Sequence, residues 1–224
     1  MSEKKKVYVE TTVVSDATAL PTRDIVQAGR QLVTREWWNT AAERFDLFSS
    51  SVVANEARRG DPDAAKRRVD ALQGIPELKA DEKALALASE LIARKAVPIE
   101  YPDDALHIAT AALNGMDYLV SWNFKHITNA HTIPLVERIC RENGYACPCI
   151  CTPANAAGRR PRMTIEKRYD STLEEMWRIK REIAAEYPSL EAYFKGFLAE
   201  QADRERHGVT FVHFKPHCVE SWRA

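Results

Sequence analysis

Residues 102–127, PDDALHIATAALNGMDYLVSWNFKHI, constrain the fold more tightly than any other stretch. Ala105, Ile108, Ala109 and Ala112 recur at helical spacing, so one face of this segment is built for a core. Asp103 or Asp104 can cap its first turn, where backbone N–H groups lack partners. Gly115 offers the left-handed residue that closes a helix. Tyr118–Ser121 then reads as a short buried strand, left by Trp122, Asn123, Phe124, Lys125 and His126. A carboxylate at a helix start, beside polar groups at a strand's C-terminal end, is the layout of an α/β ligand site.

The preceding chain supplies more of the same parts. Lys5–Thr11 holds the apolar run Val7-Tyr8-Val9 and ends on Glu10, as a central strand carrying a carboxylate at its C-terminal end would. Thr11, Thr12, Ser15 and Asp16 follow, placed to orient that carboxylate or to donate to a phosphate. A helix is expected after Pro21, with Thr22 as N-cap and Ile25, Gly29, Leu32, Val33 and Trp37 along it. Trp37-Trp38 reads as core or interface. Phe45–Ser49 reads as a second strand, and Ser50 or Ser51 caps the next helix. There Val52, Val53 and Glu56 lie at helical spacing, which aims a carboxylate into a cleft or pairs it with Arg58 or Arg59 at the surface. Asp61-Pro62 opens a further helix, Pro76–Leu78 reads as an edge strand, and Asp81 caps an amphipathic helix. Ile133–Ile139 and Cys147–Thr152 complete the alternation as helix and strand. The fold class expected is α/β, with a mostly parallel central sheet flanked by helices.

At 224 residues the chain allows one large domain, or one of about 150 residues with an appendage. No apolar run approaches the roughly 20 residues of a membrane span, and the run after MSEKKK is too short for a signal peptide. The expectation is a cytoplasmic protein with no membrane partner. Five cysteines, three of them alternating as Cys147, Cys149 and Cys151, argue against a disulfide framework. A zinc site from these with His217 and Cys218 is disfavoured, because the alternation only puts side chains on one face of a strand. Lysine plus arginine and aspartate plus glutamate are balanced at 32 each, so no global nucleic-acid signature exists. Arg58-Arg59 and Lys66-Arg67-Arg68 form a local basic cluster, read either as a solvated helix face or as a nucleic-acid contact.

Glu10, Glu56 and Asp104, with Asn123 as an amide and Thr11 and Ser121 near, form a donor set suited to a hard divalent cation such as Mg²⁺ or Mn²⁺. Such a cation activates water and stabilises charge developing on a phosphodiester. His107, His126 and His131 are not spaced as a zinc set, and His107 inside the apolar helix reads as a packed histidine.

The blocks VYVETT, ANEARRGD, DDALHIATAALNGMDYLVSWNFKHI and ICTP resemble the successive motifs of a PIN-domain protein, and more narrowly of the VapC-type toxin ribonucleases. The resemblance covers about residues 5–153, and its third block is the specific one. It places the family's three acidic positions on Glu10, Glu56 and Asp104, its fourth polar position on Asn123 and its small hydroxyl residue on Ser121. It implies a PIN-like fold and metal-dependent endoribonuclease activity on single-stranded RNA or a structured RNA loop, commonly in a homodimer. Thr11, Ser121, Arg58 and Arg59, from their places beside the acidic residues, are the expected supporting residues. Most PIN domains carry Asp where Glu10 stands and often Asp where Asn123 stands, changes that move or weaken a metal. The subgroup with Trp-Asn at this block shares them.

Residues 154–162 are small, basic and punctuated by Pro and Gly, and read as a linker between a domain at 1–153 and a segment at 163–224. Ser171 and Glu174 are spaced as a capping box. Leu173, Met176, Trp177, Lys180, Ile183, Ala184 and Tyr187 make one largely apolar face. A second helix carries Leu190, Tyr193, Phe194, Phe197 and Leu198 and ends before Gly208, and VTFVHF is strand-like. Some 60 residues of this kind cannot bury their apolar faces alone. The segment also resembles, more loosely, the small antitoxins encoded beside such toxins. It is therefore expected to be an α-helical inhibitor fused to the nuclease, acting within one chain or by domain swapping, with Arg204, Arg206, Lys215 or Arg223 as the cation that enters the acidic cleft. The alternative is a catalytically weak or inactive RNA-binding or regulatory module, its C-terminal segment a subdomain that only extends the core or serves oligomerisation.

Overall fold

The computed structural model describes residues 4–156 and 171–217. In chain order the elements are β1 (Lys5–Val9), α1 (Thr11–Thr18), α2 (Ile25–Arg44), β2 (Phe45–Ser50), α3 (Ser51–Ala57), α4 (Pro62–Ala71), β3 (Glu77–Leu78) and α5 (Glu82–Ala93). Then come α6 (Pro102–Leu113), β4 (Tyr118–Val120), α7 (Ile133–Glu142), β5 (Cys149–Cys151), α8 (Pro153–Ala156), α9 (Ser171–Ala185), α10 (Leu190–Arg206) and β6 (Phe211–Val212). The strands form one sheet in the order β5-β4-β1-β2-β3-β6, and every pairing is parallel. The protein is α/β, its sheet flanked by helices.

β1 is central because Val7, Tyr8 and Val9 are fully buried, as a strand covered on both faces must be. Its register sets Tyr8 against Phe48 on one side and Leu119 on the other. The C-terminal ends of β1, β2 and β4 therefore share one edge, where Glu10, Ser50 and Ser121 emerge. α6 crosses behind them with all twelve of its residues buried, which suits its run of small and aliphatic side chains.

Several local expectations change. Residues 11–18 form a helix, held at its start by Glu10, whose carboxylate accepts from Thr12 N. The N-cap of α2 is Asp24, accepting from Gln27 N, while Thr22 Oγ1 accepts from Asp24 N one step earlier. Along α2, Ile25 and Leu32 face outward and are largely exposed. Asp103 and Asp104 are not caps: Tyr101 is the N-cap residue, Pro102 occupies the first turn, and both aspartates lie inside it. β3 is not an edge strand, because β6 pairs outside it. Within the stretch read as linker, Ala154–Ala156 belong to α8, which packs on α2. Residues 157–170, including the expected start at Met163, and residues 218–224 lie outside the described residues.

The C-terminal segment shares the core of the sheet. Leu173, Met176, Ile179 and Ile183 of α9, with Tyr193, Phe194 and Phe197 of α10, are each under 9% exposed. Burying such a side chain contributes about 1.5–3 kcal/mol before entropy is charged. Lys79 N donates to Val212 O of β6 (2.8 Å), and beyond β6 Phe214 N donates to Asn114 Oδ1 (3.1 Å) and Ala146 N to His217 O (2.9 Å). At Gly115 (φ 58°) the Lys215 carbonyl comes within 2.6 Å of where a Cβ would stand. Only glycine fits both that backbone and that approach.

Candidate functional site

Glu10, Glu56 and Asp104 reach one cleft from three elements: the end of β1, the middle of α3 and the first turn of α6. All three are fully buried. Glu10 Oε2 accepts from Thr12 N (3.0 Å), Thr12 Oγ1 and Ser121 Oγ (2.9 Å). Thr11 Oγ1 donates to Glu56 Oε2. Asp104 Oδ2 accepts from Asn123 Nδ2 (3.0 Å) and faces His126 Nδ1 (2.7 Å). On each of these three carboxylates one oxygen is thus spent on orientation, leaving the other for the cleft. Asn123 works as a brace: besides holding Asp104, its Oδ1 accepts from His126 N (3.1 Å) and Trp177 Nε1 (3.2 Å).

The free oxygens converge on Lys180 of α9. Its Nζ lies 2.6 Å from Glu56 Oε1, 2.9 Å from Asp104 Oδ1 and 3.2 Å from Glu10 Oε1, with no exposure of the side chain. His107 Nε2 is a fourth neighbour at 3.1 Å. Among the described residues, Glu10 Oε1 and Asp104 Oδ1 have no well-aligned hydrogen-bond partner; Lys180 is their ionic neighbour. Burial opposes the charge of Lys180, but Asp104, Glu56 and Glu10 outweigh it and hold the ammonium well above an ordinary lysine's pKa. Burial likewise favours neutral acids at Asp104 and Glu56, and Lys180 reverses it, keeping both below the usual carboxylate range.

Asp103 behaves differently. Burial, then the nearby Glu56 charge, push its pKa up to about 7, and it accepts a hydrogen bond from Tyr193 of α10. Tail residues therefore meet the cleft at three points: Lys180 on the acids, Trp177 on Asn123 and Tyr193 on Asp103.

The cation in the cleft is not one of the residues singled out in the tail. Arg204 is paired with Glu77 (2.6 Å), Arg206 with Asp203 (2.8 Å), Lys215 is exposed beyond β6, and Arg223 lies outside the described residues. Arg58 donates to Ala54 O (3.1 Å), and Arg59 forms a two-pronged pair with Glu186 (2.6 and 3.0 Å). His107, read from the sequence as merely packed, touches Tyr8, Glu56 and Lys180. The sequence signal for Lys180 was its place on the otherwise apolar stripe of α9. Cys140, Cys147, Cys149 and Cys151 are free thiols, and among the described residues the group of potential metal ligands is Glu10, Glu56 and His107. No helix of the described residues is long and apolar enough to cross a membrane.

Comparison with family models, with curated proteins and with solved structures finds no match for this chain. The functional reading therefore rests on the cleft.

Proposed function

We propose that this protein is a divalent-metal-dependent endoribonuclease, acting as a homodimer in the manner of the VapC-type toxins, whose own C-terminal segment holds it closed. The observation that carries this reading is Lys180, buried among Glu10, Glu56 and Asp104 in the position a cation would take. The donor set fits Mg²⁺ or Mn²⁺: three carboxylates are fixed by their outer oxygens, and two inner oxygens, Glu10 Oε1 and Asp104 Oδ1, have no well-aligned hydrogen bond among the described residues. When bound, the cation would activate water and stabilise the charge developing on an RNA phosphodiester. Thr11, Thr12 and Ser121 hold Glu56 and Glu10 in place, and Asn123 and His126 hold Asp104, so the inner oxygens need no rearrangement on binding. In the closed form Lys180 keeps the cation out and Trp177 covers Asn123.

Arg59 supports a nucleic-acid substrate. Glu186 of the segment after α9 occupies its guanidinium fork, as a phosphate would in the open enzyme.

The test is ribonuclease activity with Mn²⁺ on three full-length proteins: the native chain, Lys180→Glu and Lys180→Glu/Asp104→Ala. A glutamate at 180 puts a fourth carboxylate into a buried acidic cluster and drives α9 out. Cleavage that is weak in the native chain, at least 10-fold stronger in Lys180→Glu and lost in the double variant supports the reading. A folded Lys180→Glu protein that binds RNA without cleaving it would identify the fold as a binding module instead. Asn123, with both ends of its amide engaged, is the observation that favours that second reading.

A further inference from the structure

The three carboxylates do not complete the cleft. His107 is fully buried, and its Nε2 points at the same place as the acids: 3.1 Å from Lys180 Nζ, 3.2 Å from Glu56 Oε2 and 3.9 Å from Glu10 Oε1. It stands three residues after Asp104 on α6, so both side chains project from one face of the helix. On the far side of the ring, Nδ1 is 2.7 Å from Tyr8 Oη, which is 2.6 Å from Ser50 Oγ.

An ammonium only donates, so the Lys180 contact favours the tautomer in which Nε2 accepts and the proton lies on Nδ1, the nitrogen beside Tyr8 Oη. The imidazole is thus held as histidines are held at metal centres: one nitrogen anchored by a neighbouring group, the other presented as a lone pair. Nε2 lies 3.2 Å from Glu56 Oε2, and Glu10, Glu56 and His107 can each offer one ligand atom within 4.8 Å of the others.

We infer that His107 is a ligand in this cleft together with Glu10, Glu56 and Asp104, and that the resident cation is a first-row transition-metal dication rather than Mg²⁺. An all-oxygen set suits Mg²⁺, whereas an imidazole added to carboxylates shifts preference toward the later, more polarisable dications. The inference rests on the reading of the cleft as a cation site. It adds a ligand and a metal class that the carboxylates alone do not specify.

The experiment uses full-length Lys180→Ala, which vacates the ammonium's position, titrated calorimetrically with Co²⁺ and with Mg²⁺, and loaded with Mn²⁺ for pulsed electron paramagnetic resonance. Expected are a Co²⁺ affinity at least 10-fold above that for Mg²⁺ and ¹⁴N coupling from a directly bound nitrogen. In Lys180→Ala/His107→Gln, Co²⁺ binding falls at least 10-fold, Mg²⁺ binding stays within about 3-fold, and the ¹⁴N coupling disappears. In Lys180→Ala/Tyr8→Phe the coupling persists while Co²⁺ binding weakens severalfold, because the ring has lost its anchor. Should the glutamine variant fail to fold, the ¹⁴N signal of Lys180→Ala alone decides. Metal binding with no directly bound nitrogen, or a Co²⁺ to Mg²⁺ ratio indifferent to His107, overturns the inference and leaves the nuclease reading standing. Binding of no divalent cation overturns both.

Discussion

Lys180 Nζ and Glu56 Oε1 lie 2.6 Å apart with neither side chain exposed to solvent. An ion pair of this kind barely repays its own desolvation, yet removing one partner is costly because the other charge stays buried. Here the cation serves three carboxylates. Lys180→Ala is therefore expected to lose about 3–5 kcal/mol in chelator, a fall of roughly 10 °C in melting temperature for a chain of this size. Millimolar Mn²⁺ is expected to restore much of it, since a ligand that binds only the folded state stabilises by mass action. Thermal melts of both proteins with and without Mn²⁺ check this. The native chain should respond far less, as its cation position is filled.

The closed state should also respond to pH through Asp103, whose pKa is raised to about 7 by burial and by Glu56. A raised acid binds its proton more tightly when folded, so its contribution is complete below the ordinary carboxylate range and is lost as pH rises toward and past 7. Between pH 5 and pH 8 the loss is on the order of 2–3 kcal/mol. Asp104 and Glu56, both lowered, act in the opposite sense and only in acid, where their contribution disappears as pH falls below about 4. Chemical denaturation at pH 5, 6.5 and 8 should show falling stability, and Asp103→Asn should flatten the profile. A native chain equally stable at pH 5 and 8 would refute the assignment.

Much of this site was legible in the sequence, and the reasons are local. Glu10 closes an unbroken apolar strand, Asp104 opens an apolar helix, and both patterns are set within a few residues. α1 was missed because Thr11-Thr12-Val13-Val14 favours extended structure; its helix depends on the Glu10 cap and on packing against α2 and α9. β3 looked like an edge because its outer neighbour, β6, comes from far along the chain. The role of Lys180 is hidden in the sequence for a similar reason. A lysine within an apolar stripe ordinarily runs its stem along the core and its charge to water, and only the folded arrangement shows three acids waiting at its tip. His107 reads as core in the sequence because its partners sit on β1, α3 and α9.

Arg59 and Glu186 form an exposed pair worth less than about 1 kcal/mol, so its interest lies in substrate binding. In the open Lys180→Glu background, Arg59→Ala is expected to weaken RNA binding similarly for all sequences and to lower the slope of log affinity against log salt by about 1. Fluorescence anisotropy across a salt series measures this. An unchanged slope would mean that Arg59 meets no phosphate.

Gly196 offers a test of tail packing in which two effects have opposite signs. It lies inside α10, where replacing glycine with alanine ordinarily stabilises a helix by about 1 kcal/mol. In this fold, however, a Cβ at 196 would collide with Tyr187 Cε1 and stand 2.9 Å from its Oη. Tyr187 packs edge-on against Tyr193, with ring centroids 5.4 Å apart, and Tyr193 carries the hydrogen bond to Asp103. Gly196→Ala must therefore displace the Tyr187 ring, and with it the packing of Tyr187 on Tyr193. The expected result is a lower melting temperature despite the better helix former, accompanied by a rise in Mn²⁺-dependent RNA cleavage smaller than that of Lys180→Glu. A higher melting temperature with unchanged activity would show that Tyr187 moves aside freely and that the corner does not help to hold Lys180 in place.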